Sequence, residues 1–441
     1  MSRFSKLLRG AIGLGAMAAI AACGDADSKV LLPVNPPGGA LMSRYVALGN
    51  SITAGWQSGG LNDSVQRNSY AFLLAQQAGT RFAYPSFTKS FQATATLTIT
   101  TGCPPMMGNW FTQKLTDSLV PTPSGCALRD ASKATNILNN VAVPFAYASD
   151  LLVTGSGIKI PSAAVHTFIL GGKAQVDRAL EADPTFLSLW IGNNETLSPA
   201  SVGMIGGAAS LGAPAMVTST EFSAAFNAAV DSLVKGAPNL QGGILIGAVK
   251  VGNAPRFFSA DSLVLGPNAA ARRTAINSFI SPKPPIAVIG CGSPGVTGWL
   301  VSTELIRAIK SGQFPSSAIV CNPAAAPGSA GDIFVLDPTE QATLNAATDA
   351  YNQTISDKAT ALGWAYLDPN PALAAQRTGT APAIPAFPNF TSNTRDAATA
   401  PFGALFSLDG VHPSAAGQKV IANLVIAAIN TKYNLQIPIV P

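Results

Sequence analysis

Short uncharged runs of apolar residues that stop at a Gly-Asn turn occur at two distant places in this chain. Tyr45–Leu48 is followed by Gly49-Asn50-Ser51, and Phe186–Ile191 is followed by Gly192-Asn193-Asn194-Glu195. A short apolar run bounded by turn residues is typical of a buried strand in a parallel sheet. Because ligands and reacting groups collect at the carboxyl ends of such strands, the polar residues after both runs are predicted to face a common site.

A third block, Ser407-Leu408-Asp409-Gly410-Val411-His412-Pro413, lies near the end of the chain and contains one of only two histidines. A serine hydroxyl is a weak nucleophile until an imidazole takes its proton, and a carboxylate fixes the tautomer of that imidazole. Ser51, His412 and Asp409 are therefore the candidate nucleophile, base and orienting acid. Taken singly, each residue has another explanation. Ser51 is also typical of a turn, Asp409 of a helix cap, and His412 of a loop histidine without a catalytic role.

Acyl transfer passes through a tetrahedral oxyanion, which is stabilised by hydrogen-bond donors held in place. The candidate donors are the Asn194 side-chain amide and the backbone N–H groups of Ser51 and of Gly192 or a neighbour. A plain Asn-Asn turn is the alternative. His166 is a rival base, but no carboxylate lies near it in the sequence, so we interpret it as a hydrogen-bonded linker histidine.

Taken together, the three blocks resemble the SGNH/GDSL family of serine esterases and lipases. Gly49-Asn50-Ser51-Ile52 is similar to the first block of that family, Gly192-Asn193-Asn194-Glu195 to its Gly-x-Asn-Asp block, and Asp409-Gly410-Val411-His412 to its Asp-x-x-His block. The resemblance covers about residues 44 to 430. It implies that Ser51 is the nucleophile, His412 the base, Asp409 its orienting acid and Asn194 an oxyanion donor.

The chain departs from the family pattern at three positions. Asn50 replaces the usual Asp before the serine, and Glu195 replaces the Asp after the oxyanion Asn. The family's second block, of the type Asn-x-x-x-x-Gly-Ala, falls on residues 140–146, where Phe145 stands in place of glycine. The resemblance implies that the Phe145 backbone N–H is another oxyanion donor. Its ring would then take space from the acyl chain, which predicts a preference for short acyl groups.

The first 22 residues have the pattern of an export signal. Arg3, Lys6 and Arg9 precede an apolar run that ends in small residues just before Cys23. This looks like a bacterial lipoprotein signal with Cys23 as the lipidated residue, and an ordinary secretory signal is the alternative. Residues 23–42 are then predicted to be a flexible tether. The expected location is extracytoplasmic, anchored by lipid to a bacterial membrane, and to the outer membrane if the source has one.

The other four cysteines, Cys103, Cys126, Cys291 and Cys321, are an even number in a chain that is predicted to be exported. Three pairings are open. We favour Cys103 with Cys126 and Cys291 with Cys321, because each pair brackets a segment rich in Gly and Pro with a weak core. Four free buried thiols are the alternative.

Composition excludes several classes of function. Of 27 basic side chains three lie in the signal, which leaves 24 against 22 acidic ones. The sequence contains neither a basic run with interleaved aromatic residues nor a phosphate-binding Gly-x-x-x-x-Gly-Lys-Ser/Thr loop, so nucleic acid is not an expected partner. Two histidines and scattered cysteines argue against a metal site, and no cofactor is implied.

Length alone suggests two or three domains. Ser51 and His412 must meet in space, however, which favours a single domain over residues 43–435 with insertions at about 84–135 and 254–335. Strands are predicted at 45–48, 137–143, 185–191, 243–249 and 364–367, and helices at 69–79, 175–181 and 340–362. This alternation predicts an α/β fold, a three-layer α/β/α sandwich around a mostly parallel five-stranded sheet, SGNH hydrolase-like and flavodoxin-like.

The sequence therefore predicts a membrane-anchored serine esterase that hydrolyses carboxylic esters through an acyl-enzyme. Its expected substrate is a small ester, a lipid or an acylated carbohydrate. The alternatives are a carbohydrate O-deacetylase or acyltransferase on the same machinery, and a non-catalytic surface lipoprotein with a hydrolase fold. The joint presence of Ser51, Asn194, Asp409 and His412 favours the enzyme. The sequence leaves the oligomeric state open.

Overall fold

The computed structural model describes residues 35–58, 60–85, 137–153, 169–207, 214–314, 316–322, 324, 333–378, 380, 382–392, 394 and 399–441. The predicted signal, Cys23, Cys103, Cys126 and His166 lie outside these residues, as does nearly all of the first predicted insertion. Across the described ranges, no helix is long and apolar enough to cross a membrane.

Nine strands and eleven α-helices form within the described residues. The strands are β1 (Tyr45–Gly49), β2 (Phe186–Trp190), β3 (Gly242–Ile246), β4 (Phe257–Ser259), β5 (Ala287–Ile289), β6 (Leu300–Ser302), β7 (Ala318–Val320), β8 (Val335–Leu336) and β9 (Ala365–Leu367). The helices are α1 (Ser51–Ala54), α2 (Asp63–Arg67), α3 (Tyr70–Ala78), α4 (Gln175–Glu181), α5 (Asn194–Ser201), α6 (Ser219–Gly236), α7 (Ala269–Ile280), α8 (Thr303–Ser311), α9 (Pro338–Leu362), α10 (Asn370–Ala375) and α11 (Ala415–Tyr433).

The main sheet has the strand order β1-β2-β3-β9, and all of its strands are parallel. The register aligns Gly49 of β1 with Trp190 of β2, and Trp190 with Ile246 of β3. The carboxyl ends of these three strands are therefore level. This alignment brings the polar residues that follow β1 and β2 to the same edge of the sheet.

The sheet has four strands, so the prediction of a five-stranded sheet was wrong. Residues 139–143 do run beside β1 and make backbone hydrogen bonds to it, from the Ala47 N–H to the Asn139 carbonyl at 2.7 Å and from the Val141 and Val143 N–H groups to the carbonyls of Ala47 and Gly49 at 2.9 and 3.1 Å. They form an isolated bridge between Asn140 and Ala47 and no regular strand. The pairing stops at Asn139, whose backbone N–H donates to the Ala83 carbonyl at 2.7 Å, while its side-chain Nδ2 donates to the Tyr45 carbonyl at 2.9 Å. A side-chain donor thus takes the place of the backbone donor of a regular ladder.

Helices cover both faces of the sheet, which gives three layers. Alternate strand residues point to opposite faces. Val46 and Leu48 pack in a core that includes side chains of α4, α6 and α9. Tyr45 and Ala47 pack in a second core with side chains of α3 and α11.

Several predicted helix bounds agree closely with the structure. Helix α4 has the predicted ends, and α3 is one residue shorter at each end, since Ser69 caps its start and Gly79 its end. Helix α9 begins two residues before the predicted start. Asp337 and Glu340 form a reciprocal cap there, with Asp337 Oδ1 accepting from the Glu340 N–H at 2.7 Å.

Residues 254–335 form a region with its own sheets and core. Strands β4, β6 and β8 make an antiparallel sheet, and β5 and β7 make a parallel pair. The predicted disulfide between Cys291 and Cys321 is present, with 4.8 Å between the Cα atoms, and it links the ends of β5 and β7. Buried apolar side chains of α7 and α8 pack together with Phe258 and Trp299 of this region.

Candidate active site

The turn after β1 places Ser51. Gly49 has φ of +150°, and a Cβ there would collide with the carbonyl oxygen of Trp190 on β2. Only glycine therefore lets the strands approach this closely. The Gln175 side chain holds the turn by accepting from the Gly49 N–H at 2.9 Å and donating to the Gly49 carbonyl at 3.0 Å. Ser51 is the first residue of α1, and the Asn50 side chain caps that helix.

The loop before α11 carries the other two members of the predicted triad. Asp409 Oδ1 accepts the backbone N–H groups of Val411 and His412, both at 2.9 Å. The Ser407 N–H donates to the carbonyl of His412 at 2.8 Å. These bonds fold the loop back on itself, so that two side chains three residues apart lie next to each other.

The buried side chain of Gln418 fixes α11, and with it this loop, against the Ser51 side of the site. Its Oε1 accepts from the Tyr70 N–H at 2.9 Å, and its Nε2 donates to the Ile52 carbonyl at 3.1 Å. Sequence reasoning missed Gln418. No sequence signal singled it out, because the same helix also contains Asn423 and Asn430.

Ser51, His412 and Asp409 form a continuous chain of hydrogen bonds. His412 Nε2 lies 2.7 Å from Ser51 Oγ, and His412 Nδ1 lies 2.8 Å from Asp409 Oδ2. Asp409 is acceptor-only when ionised, so Nδ1 carries the proton and Nε2 is left to accept the proton of the serine hydroxyl. This is the geometry of a nucleophile activated by an oriented base.

Asp409 is held in its charged form. Burial alone raises the pKa of its carboxyl, but the His412 imidazole and the Arg256 guanidinium outweigh burial, so this pKa lies well below its ordinary value of 3.8. The carboxylate is therefore ionised at neutral pH. A charged carboxylate at Nδ1 stabilises the imidazolium that forms when His412 takes a proton.

Arg256 links the region of residues 254–335 (the second region) to the loop that carries Asp409 and His412. Its Nε and Nη2 donate to the carbonyl oxygen of Asp409 at 3.2 and 3.1 Å, and its backbone N–H donates to the Gly410 carbonyl at 2.9 Å. Its Nη2 also lies 3.2 Å from a carboxylate oxygen of Glu304, whose other oxygen accepts from Arg307 Nε at 2.7 Å. Burial raises the pKa of Glu304, but the two arginines lower it more, so it is below its ordinary value. Sequence reasoning missed all three residues.

The turn after β2 places Asn194 at the start of α5. Gly192 has φ of +109°, and a Cβ there would meet the Phe222 ring at 3.1 Å, so it forms a tight turn that a larger residue would strain. Asn194 is 8% exposed, and its Nδ2 donates to the carbonyl of Ala146 at 2.8 Å. The amide has a second N–H to offer to a substrate.

Phe145 has a left-handed backbone with φ of +68°, at the position where the resembling family has glycine. Its N–H has no hydrogen-bond acceptor among the residues that the structure describes. Its ring packs edge-on against Trp56 at 5.3 Å between centroids, and the Trp56 ring lies 6.3 Å from that of His412. The Trp56 ring thus neighbours both the Phe145 ring and the His412 imidazole.

A cavity of about 450 Å³ contains Ser51, and most of the predicted site residues line it. Its volume falls in the range of small-molecule pockets, roughly 300–1,000 Å³. Ser51, His412, Asn194 and Phe145 all line this cavity. Gly192 does not, so its role as an oxyanion donor stays a prediction. The second region supplies another part of the lining, which comprises Arg256, Glu304, Arg307, Ala308, Gln313, Phe314, Ile333 and Phe334.

No group of three or more His, Cys, Asp or Glu side chains placed to hold a metal ion occurs in the described part of the chain. The His412 imidazole lies beside Ser51, and Asn194 and Phe145, which carry candidate N–H donors, line the same cavity. Together they can remove a proton from a hydroxyl and stabilise an oxyanion beside it.

Comparisons with known proteins add little to this geometry. No protein-family model matches the chain, and no curated protein matches it. Among solved structures it is similar to two variants of Axe2, an acetyl-xylooligosaccharide esterase from Geobacillus Stearmophilus. Each has 12% identity over 87% of this chain and 93% of the esterase, with TM-scores of 0.35 and 0.34. Phospholipase A1 from Streptomyces albidoflavus has 15% identity over 88% of this chain and 98% of its own, with a TM-score of 0.31. Likenesses this distant carry no argument about the reaction.

Proposed function

We propose that the chain is a serine esterase that hydrolyses carboxylic esters through an acyl-enzyme. The observation that carries this proposal is the hydrogen-bonded chain from Ser51 Oγ through His412 to Asp409, which opens on a cavity large enough for a small ester. Asn194 and Phe145, which carry the candidate oxyanion donors, line the same cavity. A nucleophile, an oriented base and oxyanion donors are the parts that acyl transfer requires.

In the acylation step, Ser51 Oγ attacks the ester carbonyl carbon while His412 Nε2 takes the hydroxyl proton. The carbonyl π electrons move onto oxygen, and the backbone N–H groups of Ser51 and Phe145 with the Asn194 amide stabilise the oxyanion. The N–H of Ser51 is available because the first residue of a helix has no acceptor for it within that helix. When the tetrahedral intermediate collapses, the C–O bond to the alcohol breaks and His412 gives its proton to the leaving oxygen.

In the deacylation step, a water molecule attacks the acyl carbon of the Ser51 ester while His412 Nε2 takes one of its protons. Collapse of the second intermediate breaks the bond to Ser51 Oγ, which regains a proton from His412. The products are a carboxylic acid and the free enzyme. Replacing the water by a second alcohol would make the same chemistry an acyl transfer.

Short acyl groups are the proposed preference. Phe145 lines the cavity and directly precedes Ala146, whose carbonyl accepts a hydrogen bond from the Asn194 amide. A large ring next to the oxyanion donors takes space that an extended acyl chain would need. Each methylene that a pocket cannot accept costs roughly 1–3 kcal/mol of discrimination.

We also propose that Cys23 is lipidated and that the enzyme is anchored outside the cytoplasm. The support is the sequence pattern of residues 1–23. Several acyl chains on one residue give stable membrane binding. After expression in a bacterium, the wild type should sediment with membranes, and the Cys23→Ser variant should not. Equal release of both proteins would contradict the anchor without affecting the esterase assignment.

The catalytic proposal is tested by labelling with a fluorophosphonate and by hydrolysis of 4-nitrophenyl acetate. The wild type should be labelled at Ser51 and should hydrolyse the ester, whereas Ser51→Ala should do neither. Ser64→Ala is the matched control, because Ser64 lies exposed on α2, outside the cavity lining. A folded Ser51→Ala that hydrolyses the ester as fast as the wild type would exclude this nucleophile. A wild type that is neither labelled nor active would favour a non-catalytic protein.

A further inference from the structure

We propose that the alcohol part of the substrate carries an anionic group, a carboxylate or a phosphate, which Arg307 of α8 binds. This inference rests on the proposed esterase function. Arg307 is three residues C-terminal to Glu304, and both line the cavity that contains Ser51. The Arg307 side chain is 32% exposed, so it is open to a ligand as well as being held by the protein.

The guanidinium of Arg307 is anchored at one edge and open at the other. Its Nε donates to Glu304 Oε2 at 2.7 Å, which fixes the plane of the group. Within the described residues, its two terminal nitrogens, Nη1 and Nη2, have no acceptor. A guanidinium presents paired N–H donors that match carboxylate or phosphate oxygens in a bidentate contact.

Arg307 is the accessible cation of the charged group beside the cavity. Glu304 is the only acidic side chain that lines the cavity within the described part of the chain, and it is shared between Arg307 and Arg256. Arg256 is also engaged with the carbonyl of Asp409, interacts with the Asp409 carboxylate and is 8% exposed. Two carboxylates thus lie near two guanidinium groups, and Arg307 is the guanidinium with donors left for a ligand. Lys310 on the same helix is turned elsewhere, with its Nζ 3.8 Å from the centre of the Phe279 ring.

The shape of the cavity assigns the anion to the alcohol side. The Phe145 ring limits the space near the oxyanion donors, where the acyl group must sit. The other walls include Phe314, Ile333 and Phe334, which offer apolar surface to the body of an alcohol. An alcohol with an apolar body and a negatively charged end can pack on these side chains and bind Arg307 at the same time.

The test compares two acetyl esters that differ only in charge, 3-acetoxybenzoate and the neutral 3-acetoxybenzamide. The measured quantity is the ratio of kcat/KM for the anionic ester to that for the neutral one. Arg307→Gln should lower this ratio roughly 10- to 100-fold, the size expected from loss of hydrogen bonds between charged groups. Arg307→Lys keeps the positive charge but lacks the paired N–H donors of a guanidinium, so it should lower the ratio less. Arg272→Gln removes a charge from the same region at a residue outside the cavity lining, and should leave the ratio at the wild-type value.

A third ester, 3-acetoxyphenyl phosphate, distinguishes a carboxylate from a phosphate. The anion that Arg307 binds better will give the larger ratio of kcat/KM relative to the neutral amide, and this ratio will fall more in Arg307→Gln. An unchanged ratio for both anions in folded Arg307→Gln and Arg307→Lys would overturn the inference. In that outcome, hydrolysis of the neutral ester by the wild type and its loss in Ser51→Ala would leave the proposed esterase function standing. If the wild type hydrolyses none of the three esters, the proposed function fails, and this inference fails with it.

Discussion

The loops at the carboxyl edge of the main sheet and the region of residues 254–335 build the candidate site in different ways. At the sheet edge, the reacting side chains are placed by contacts that are short in sequence, such as the turn that Asp409 makes with the two residues after Gly410. The second region has its own core and disulfide, and it contributes Arg256, Glu304 and Arg307. Under the proposed function, the sheet edge supplies the reacting groups, and the second region supplies the side chain that binds the anionic group of the substrate.

Arg256 is where the two regions meet. Its guanidinium binds the backbone of the catalytic acid on one side and Glu304 on the other. The second region therefore does more than form a wall of the cavity, since it also supports the loop that carries Asp409 and His412. The division of roles can be tested by substitutions at the sheet edge (Ser51 and His412), at the link between the two regions (Arg256) and at Phe145.

The largest effect is expected at the sheet edge, where Ser51 and His412 act as a unit. Ser51→Ala and His412→Ala should each lower kcat for 4-nitrophenyl acetate by roughly 10⁴-fold or more, because either change removes the activated nucleophile. The double variant should lose little beyond either single one. Steady-state kinetics on folded proteins measure this. Losses that multiply in the double variant would mean that the two residues work independently.

The sequence was sufficient for the parts of the site that are local. Asp409 and His412 are three residues apart, so their spacing could suggest a pair, and the Gly-Asn turns marked the ends of β1 and β2. In the structure, Ser51 lies within hydrogen-bond distance of His412 although 361 residues separate them. The resemblance to a known block order was needed to connect them.

Long-range contacts without a motif could not be predicted. Arg256 reaches Asp409 over 153 residues, and nothing in its neighbourhood in the sequence distinguishes it from a loop arginine. The wrong fifth strand has a similar cause. The apolar pattern of residues 137–143 fits a strand, and Val141 and Val143 do bond to β1, but at Asn139 the side chain and not the backbone N–H donates to the Tyr45 carbonyl.

The next largest effect is expected at the link. Arg256→Ala should lower the free energy of unfolding by about 3 kcal/mol, because it leaves a buried carboxylate with one partner fewer. Arg256→Lys should recover part of this loss, and Lys283→Ala, at an exposed residue of the same region, provides a control. Urea unfolding measures the stability. An Arg256→Ala protein as stable as the wild type would show that the two regions do not depend on this contact.

The same variant should change how stability depends on pH. In the wild type, the pKa of Asp409 is below its ordinary value of 3.8, partly because of Arg256. A carboxyl with a lowered pKa stabilises the fold above its unfolded pKa, and this contribution is lost as pH falls from there through the folded pKa. Removing Arg256 raises the folded pKa toward 3.8 and shrinks the contribution. Stability should therefore fall less steeply below about pH 4 in Arg256→Ala. Identical acid slopes would contradict the electrostatic coupling.

The smallest effect is expected at Phe145, a lining residue outside the second region, whose ring limits the acyl group under the proposed function. Phe145→Gly and Phe145→Ala should both favour the octanoyl ester of nitrophenol over the acetyl ester. The ratio of the two kcat/KM values should rise by roughly tenfold or more, because removing the ring opens space for methylenes. A comparison of the two variants distinguishes the effect of the space that the ring occupies from the effect of the backbone conformation at this position. Phe145 has φ of +68°, which glycine adopts freely and alanine does not.

If space is the cause, both variants should shift the chain-length ratio by similar amounts, although Phe145→Ala retains the backbone strain. If only Phe145→Gly shifts the ratio, the effect comes from relaxation of the turn that presents the oxyanion N–H. Unfolding measurements must accompany the kinetics, because both changes remove the contact of this ring with Trp56. A ratio unchanged in both folded variants would show that the Phe145 ring does not meet the acyl chain, and the short-chain preference would then have no structural support.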